Sequence, residues 1–184
     1  KERASQGAGI DNLHIAMIGD LKFGRTVHSL AKILSLFKNV KFTLISPSEL
    51  AMPQSICDGI SDAGHELIIT EQLEGIVEAD ICYQTRIQEE RFPSQEDANK
   101  YRGKFRLNQQ IYTQHFKSQT VIMHPLPRDS RAEANELDND LNLHPNLAIF
   151  RQTDNGVLVR MALFALTLGV ADKISDFDRP VHWF

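Results

Sequence analysis

Three polar segments carry the residue types able to do chemistry, and each follows directly on a run of apolar residues. They are Gly24-Arg25-Thr26, Thr85-Arg86-Ile87-Gln88 and His124-Pro125-Leu126-Pro127-Arg128. Arginine presents a planar fork of donors matched to a carboxylate or phosphate, so three arginine-bearing segments converging on one edge predict an anionic ligand. Arg86 and Gln88 are two apart and share a face of an extended segment. One charge-assisted contact to a carboxylate contributes on the order of 1.5–3 kcal/mol, so two arginines and a glutamine suffice for a dicarboxylate. Glu90, four residues beyond Arg86, is placed to pin that guanidinium, whereas Glu89 and Arg91 are expected to be solvated. Arg25 adds its fork to the amides of a helix N-terminus, which already favour anions. Pro125 and Pro127 fix the backbone of the third segment. For any one of these arginines taken singly, the plain alternative is a solvated surface charge.

These segments meet only if the fold brings them together, and the chain alternates strand-like and helix-like runs. Leu13 to Ile18 is a compact apolar run ended by Gly19-Asp20, and Val27, Leu30, Ala31, Ile33, Leu34 and Phe37 then recur near the helical period. Lys41 to Ile45 reads as a second strand, Pro53 opens a helix that Gly64 stops, and Glu66 to Thr70 reads as a third strand. A short helix at Leu73 to Val77 and a fourth strand at Asp80 to Gln84 follow. Residues 86–106 carry six bases and four acids with few apolar anchors, which predicts a long, solvated, mobile loop of the kind that often bears function. A helix near Asn108 to Phe116 leads to a fifth strand at Thr120 to Met123. Residues 129–146 read as irregular or 3₁₀, and a last helix is expected from about Asn155 to Val170. This rhythm predicts a parallel sheet covered on both faces, with its strand-to-helix loops along one edge.

Composition narrows the function classes. The 184 residues are 42% hydrophobic and 24% charged, with a net charge of −4 and a pI near 6.0. Acids and bases are interspersed, so a nucleic-acid partner is not expected. No stretch reaches the roughly 20 apolar residues that span a bilayer, and no apolar signal core opens the chain, so no membrane partner and a cytoplasmic location are expected. The first residue is not Met, which suggests a piece of a longer protein or a processed product. Cys57 and Cys82 are far apart, without CxxC spacing or a His-carboxylate cluster, and read as buried free thiols. No metal or other cofactor is expected. Gly19 to Thr26 lacks the third glycine of a dinucleotide loop and the lysine-serine pair of a P-loop. It reads equally as a tight turn into a helix with Thr26 as N-cap.

Taken together, Gly24-Arg25-Thr26-Val27-His28-Ser29-Leu30, Thr85-Arg86-Ile87-Gln88-Glu89-Glu90-Arg91 and His124-Pro125-Leu126-Pro127-Arg128 resemble the signature segments of the aspartate-binding domain of aspartate carbamoyltransferases. Order and spacing match, and the resemblance continues through Asp154-Asn155-Gly156 and the last helix. Ornithine carbamoyltransferases carry His-Cys-Leu-Pro and Ser-Met-Gly at the corresponding places. Pro125 and the Arg86–Gln88 pair therefore favour aspartate over ornithine. A unit charge at about 4 Å, at an effective dielectric near 20, adds around 4 kcal/mol in the same sense.

The resemblance implies a Rossmann-like three-layer α/β/α domain on a mainly parallel five-stranded sheet, one half of a two-domain carbamoyltransferase fold. Residues 1–10 would be the end of an interdomain helix and a linker. Residues 11–184 would form the aspartate-binding domain, its final helix packing toward an amino-terminal domain whose Ser-Thr-Arg-Thr loop takes carbamoyl phosphate. The implied reaction is direct attack of the L-aspartate amine on carbamoyl phosphate, giving N-carbamoyl-L-aspartate and phosphate in pyrimidine biosynthesis, with positioning and electrostatics carrying the catalysis. Arg25, with Thr26 beside it, would meet an aspartate carboxylate. Arg86 and Gln88 would hold the side-chain carboxylate, Glu90 would orient Arg86, and the carbonyls of Pro125 and Leu126 would accept from the reacting amine and the carbamoyl amide. His124 and His28 are read as structural. Lys22, with Arg91 and Glu96, would make contacts between domains or subunits as the loop closes. Phe23 stands where relatives often carry Tyr, so contacts made by that hydroxyl are lost. A homotrimer, with or without regulatory chains, is implied, and the segment alone is expected to bind aspartate weakly without turnover. A non-catalytic amino-acid-binding or assembly module of the same ancestry is the second reading, and an unrelated dinucleotide-binding domain the third.

Overall fold

The computed structural model describes residues 9–73, 76 and 78–177. Two compact units emerge, one ending at Ala148 and one beginning at Ile149. The first contains five strands, β1 (His14–Ile18), β2 (Lys41–Ile45), β3 (Glu66–Thr70), β4 (Ile81–Gln84) and β5 (Val121–Met123). They form one wholly parallel sheet in the order β3-β2-β1-β4-β5. A parallel sheet needs cover on both faces, and its central strands show it. All of β1 is buried, as are Phe42 to Ile45.

Alternation along the strands sends Ile15, Met17, Phe42, Leu44 and Tyr83 to one side. There they pack with α1 (Arg25–Leu34) through Val27, Ala31 and Leu34, and with α2 (Gln54–Asp62) through Ile56, Cys57 and Ile60. The residues of opposite parity, Ala16, Ile18, Ile45, Cys82 and Ile122, are buried as well. Cys57 and Cys82 are buried free thiols, as the sequence predicts.

Several boundaries shift. Pro53 sits at the cap of α2 and Gly64 follows its end with φ of +81°, as expected. The short helix expected at Leu73 to Val77 lies largely outside the described residues, as does the linker expected before residue 9. Asn108 caps α4 (Gln109–His115) by accepting from Ile111 N. The segment from 86 to 106 is not the bare solvated loop its composition predicts. It holds a 3₁₀ turn (Glu89–Arg91) and α3 (Gln95–Asn99) capped by Ser94, and it buries Ala98 completely. Sparse apolar residues are enough here because ion pairs and ring contacts supplement them.

In the second unit, α5 (Ile149–Thr167) begins six residues earlier than the sequence suggests. Asn155-Gly156 looks like a break, yet a lone glycine inside a helix costs only about 1 kcal/mol. Gly169, with φ of +66°, closes the helix as Val170 N donates to Ala165 O. Of its nineteen residues, only Ile149 and Ala165 are buried.

Candidate active site

The strand order reverses at β1, whose neighbours are β2 on one side and β4 on the other. In open α/β sheets the crevice at the carboxyl ends of such strands is where ligands bind. Ile18 pairs with Gln84 and Tyr83 with Met123, so the segments after β1, β4 and β5 leave the sheet side by side. These are the three segments singled out by residue type.

The turn after β1 is built around Asp20. Gly19 precedes it at φ of +111°, and a Cβ there would lie 2.3 Å from the Thr85 carbonyl oxygen, so only glycine lets the β1 and β4 ends approach. Asp20 is fully buried, and its two carboxylate oxygens accept from Phe23 N (2.9 Å) and Gln88 N (3.1 Å). Burial pushes its carboxyl above the ordinary value and the two amides oppose that shift. Asp20 thereby ties the Arg25 turn to the Arg86 segment. Sequence reasoning missed this role; an acid following a glycine at a strand end is the visible signal, and it does not distinguish a tether from an ordinary turn residue.

Gly24, not Thr26, occupies the cap of α1, with no side-chain cap bond. A Cβ on Gly24 would fall 2.5 Å from the Asp20 carbonyl oxygen, and this close approach sets where the helix starts. Thr26 therefore lies within the first turn rather than at the cap. Arg25 and Thr26 are exposed on that turn. His28 Nε2 lies 2.8 Å from Leu21 O, the structural role expected of it.

Arg86 is gripped at two points by Glu90, at 3.1 Å and 2.6 Å, and donates to its neighbour's carbonyl, Ile87 O, at 3.2 Å. The pin read from the four-residue spacing is present. The hydrogen bond to Glu90 raises the guanidinium pKa, and that to Arg86 lowers the Glu90 carboxyl. Asp129 and Glu136 add their fields at Arg86, which places the segment after β5 within electrostatic reach of it.

Glu89 is not solvated. Its carboxylate, 11% exposed, takes Arg102 Nε and Nη2 at 2.6 and 2.8 Å, Arg131 Nη2 at 2.9 Å and Gln95 Nε2 at 3.0 Å. These donors, Arg102 foremost, hold its pKa down at about 2. Residues 92–101 are also fixed through rings: Phe23 meets Phe92 edge-on at 5.8 Å, and Phe92 meets Tyr101 at 5.6 Å. Where a tyrosine hydroxyl is absent at position 23, an aromatic contact joins the two loops instead. Exposed Lys22 places its ammonium 5.4 Å from the Phe23 ring centre.

In the third segment, His124 is 1% exposed and its Nδ1 accepts from Leu126 N at 2.9 Å. Leu126 has φ of +56°, and the Leu126–Pro127 peptide is cis. Arg128 does not join the other two arginines: its Nη1 donates to Asn142 at 2.8 Å. An open depression of about 420 Å³ lies beside this turn, lined by Leu126 to Ser130 with Asn135, Leu137 and Asn139. Among the described residues, no group of three or more His, Cys, Asp or Glu side chains is placed to hold a metal ion. No described helix is long and apolar enough to cross a membrane.

Comparison with known proteins agrees with this geometry. Residues 11–167 match the family model for the Asp/Orn-binding domain of aspartate/ornithine carbamoyltransferase. The chain is 67% identical to the aspartate carbamoyltransferase catalytic subunit of Cellvibrio japonicus, over all of this chain and 55% of that protein. It is 43% identical to the Methanopyrus kandleri counterpart, over 87% of this chain and 50% of the relative. The chain thus spans about half the length of these curated relatives. Among solved structures, the catalytic subunit of M. jannaschii aspartate transcarbamoylase superposes with a TM-score of 0.78 at 35% identity, covering 93% of this chain and 54% of that one. Trypanosoma cruzi aspartate transcarbamoylase, in complex with aspartate and phosphate, gives 0.72 at 32% identity, covering 88% and 49%. With two arginine-bearing strand ends tied across the switch point of a parallel sheet and a family model matched from residue 11 to 167, the chain belongs to the aspartate/ornithine carbamoyltransferase family, as its Asp/Orn-binding domain.

Proposed function

We propose that this chain is the L-aspartate-binding half of an aspartate carbamoyltransferase. The observation that carries the reading is the Asp20 bridge, which joins the turn bearing Arg25 to the segment bearing Arg86 and Gln88 across the switch point. Arg86, with Gln88 two residues on, holds the aspartate side-chain carboxylate. Arg25 and Thr26 meet the ligand from the neighbouring turn. Glu90 offsets much of the Arg86 charge, so Arg86 supplies direction more than net attraction, and around 4 kcal/mol is an upper bound on its preference for an anion. Selection against a cationic side chain then rests jointly on Arg25 and on oriented N–H donors.

The Pro125 and Leu126 carbonyls accept from the attacking amine and from the carbamoyl amide. The amine nitrogen bonds to the carbamoyl carbon, the bond to phosphate oxygen breaks, and phosphate leaves with the electron pair and takes up the proton that the amine loses. These residues supply orientation, which is worth most when the reacting atoms are held at near-attack distance. Carbamoyl phosphate enters from a second domain, and the exposed apolar side chains of α5, among them Phe150, Leu158, Met161 and Phe164, are the surface that packs toward it. A homotrimeric assembly, with or without regulatory chains, and a cytoplasmic location belong to the same reading and rest on kinship with catalytic subunits. Lys22 is then a contact to a neighbouring domain or subunit.

The test is a transfer assay on the full-length polypeptide with carbamoyl phosphate and either L-aspartate or L-ornithine. N-carbamoyl-L-aspartate is the expected product. Carbamoylation of ornithine instead, or of neither, would contradict the reading. Native mass measurement of the same polypeptide is expected to give three copies.

A further inference from the structure

The imidazole of His124 has both nitrogens engaged inside the protein. Nδ1 accepts from Leu126 N at 2.9 Å, and Nε2 lies 2.8 Å from Glu136 Oε1. An Nδ1 that accepts carries no hydrogen, so the ring is the tautomer protonated at Nε2, with the Glu136 carboxylate packed beside that nitrogen rather than in line with its hydrogen. Both side chains are almost fully buried, at 1% and 6% exposure. Glu136 is itself fixed, since both its oxygens accept from Asp129 N, at 3.3 and 3.2 Å, while its own carbonyl accepts from Leu107 N at 2.8 Å. The bond from Leu126 N therefore fixes the tautomer, and Glu136 walls the opposite side of the ring.

The residue so held is unusual. Leu126 has a side chain 39% exposed and a backbone at φ of +56°, in the left-handed region that residues with a branched body seldom adopt. A backbone held there persists only when its surroundings over-determine it. The flanking prolines fix their own φ but cannot hold the Leu126 N–H; His124 does that.

We propose that His124 and Glu136 form a positioning pair that aims the Leu126 carbonyl at the reacting nitrogen. The proposal rests on the carbamoyl-transfer reading for the carbonyl's role, but the geometry of the pair is independent of it. His124 is a positioning residue and touches no reacting atom. Because aspartate binding is assigned to Arg25, Arg86 and Gln88, disturbing the pair lowers kcat and leaves the aspartate KM nearly unchanged.

Two substitutions isolate the Nδ1 acceptor. Asparagine readily accepts from the amide two residues on, so His124→Asn keeps the bond to Leu126 N, whereas His124→Leu has similar bulk and no acceptor. Both remove the partner of Glu136 alike, so their difference reports the Leu126 bond alone. In the full-length polypeptide, kcat of the leucine variant is expected to fall roughly 10- to 100-fold below that of the asparagine variant, at similar aspartate KM. Equal kcat in the two, or a loss confined to KM, overturns the proposal. If either variant fails to fold, the nitrogen-15 spectrum of the unsubstituted protein decides: His124 protonated at Nε2 supports the pair, and protonation at Nδ1 overturns it. Absence of transfer in the unsubstituted protein sinks the functional reading instead, and that spectrum still judges the pair.

Discussion

Asp20 accepts two backbone hydrogen bonds from two different loops, so its removal acts on both at once. Asp20→Ala leaves the Phe23 and Gln88 amides without that acceptor, which is expected to lower stability by about 1–3 kcal/mol and to raise the aspartate KM. Thermal unfolding and steady-state kinetics check this, and a variant with both unchanged would remove Asp20 from the site. Gly19→Ala is harsher, because φ of +111° and a Cβ 2.3 Å from Thr85 O cannot both be accommodated. A loss well above about 1 kcal/mol is expected by denaturant titration. At this scale, legibility depended on how local an interaction was. Glu90 beside Arg86 is a four-residue relation and could be read directly. Asp20 with Gln88 and His124 with Glu136 join segments that only the fold brings together, so spacing carried no signal for them.

The segment from 86 to 106 shows how an element can be misread from composition. Its charges looked solvated, yet Glu89 gathers two arginines and a glutamine from within and beyond the segment. A carboxyl held down at about 2, against an ordinary 4.5, stabilises the folded state at all pH values above its ordinary range. That contribution fades as pH falls from about 4.5 toward about 2. The Glu89 carboxyl carbon resonance is therefore expected to titrate near pH 2, and a midpoint at its ordinary value would refute the network. Phe92 is the ring contact between the same segment and the turn after β1. Phe92→Ala is expected to loosen the segment by about 1–3 kcal/mol, read as faster amide hydrogen exchange over residues 92–104, with the sheet unaffected. Strands, by contrast, fell within a residue of their expected bounds, because apolar runs of four to six residues between turn signals admit few alternatives. The start of α5 was missed because Asn155-Gly156 carries a turn signal that helix continuity overrides.

At the scale of the whole molecule, the parallel sheet and its strand order turn three distant segments into neighbours. The alternation of strands and helices made this edge foreseeable, and kinship with carbamoyltransferases is what supports reading it as an amino-acid site. What the fold added is which groups converge: Arg25 and Arg86 stand on turns tied through Asp20, while Arg128 is held by Asn142. The central claim is that Arg86 holds the aspartate side-chain carboxylate, and steady-state kinetics of Arg86→Ala in the full-length polypeptide tests it most directly. Losing one charge-assisted carboxylate contact is expected to raise the aspartate KM roughly ten- to hundredfold while the carbamoyl phosphate KM stays the same. Unchanged aspartate kinetics, or an equal loss toward both substrates, would contradict the account.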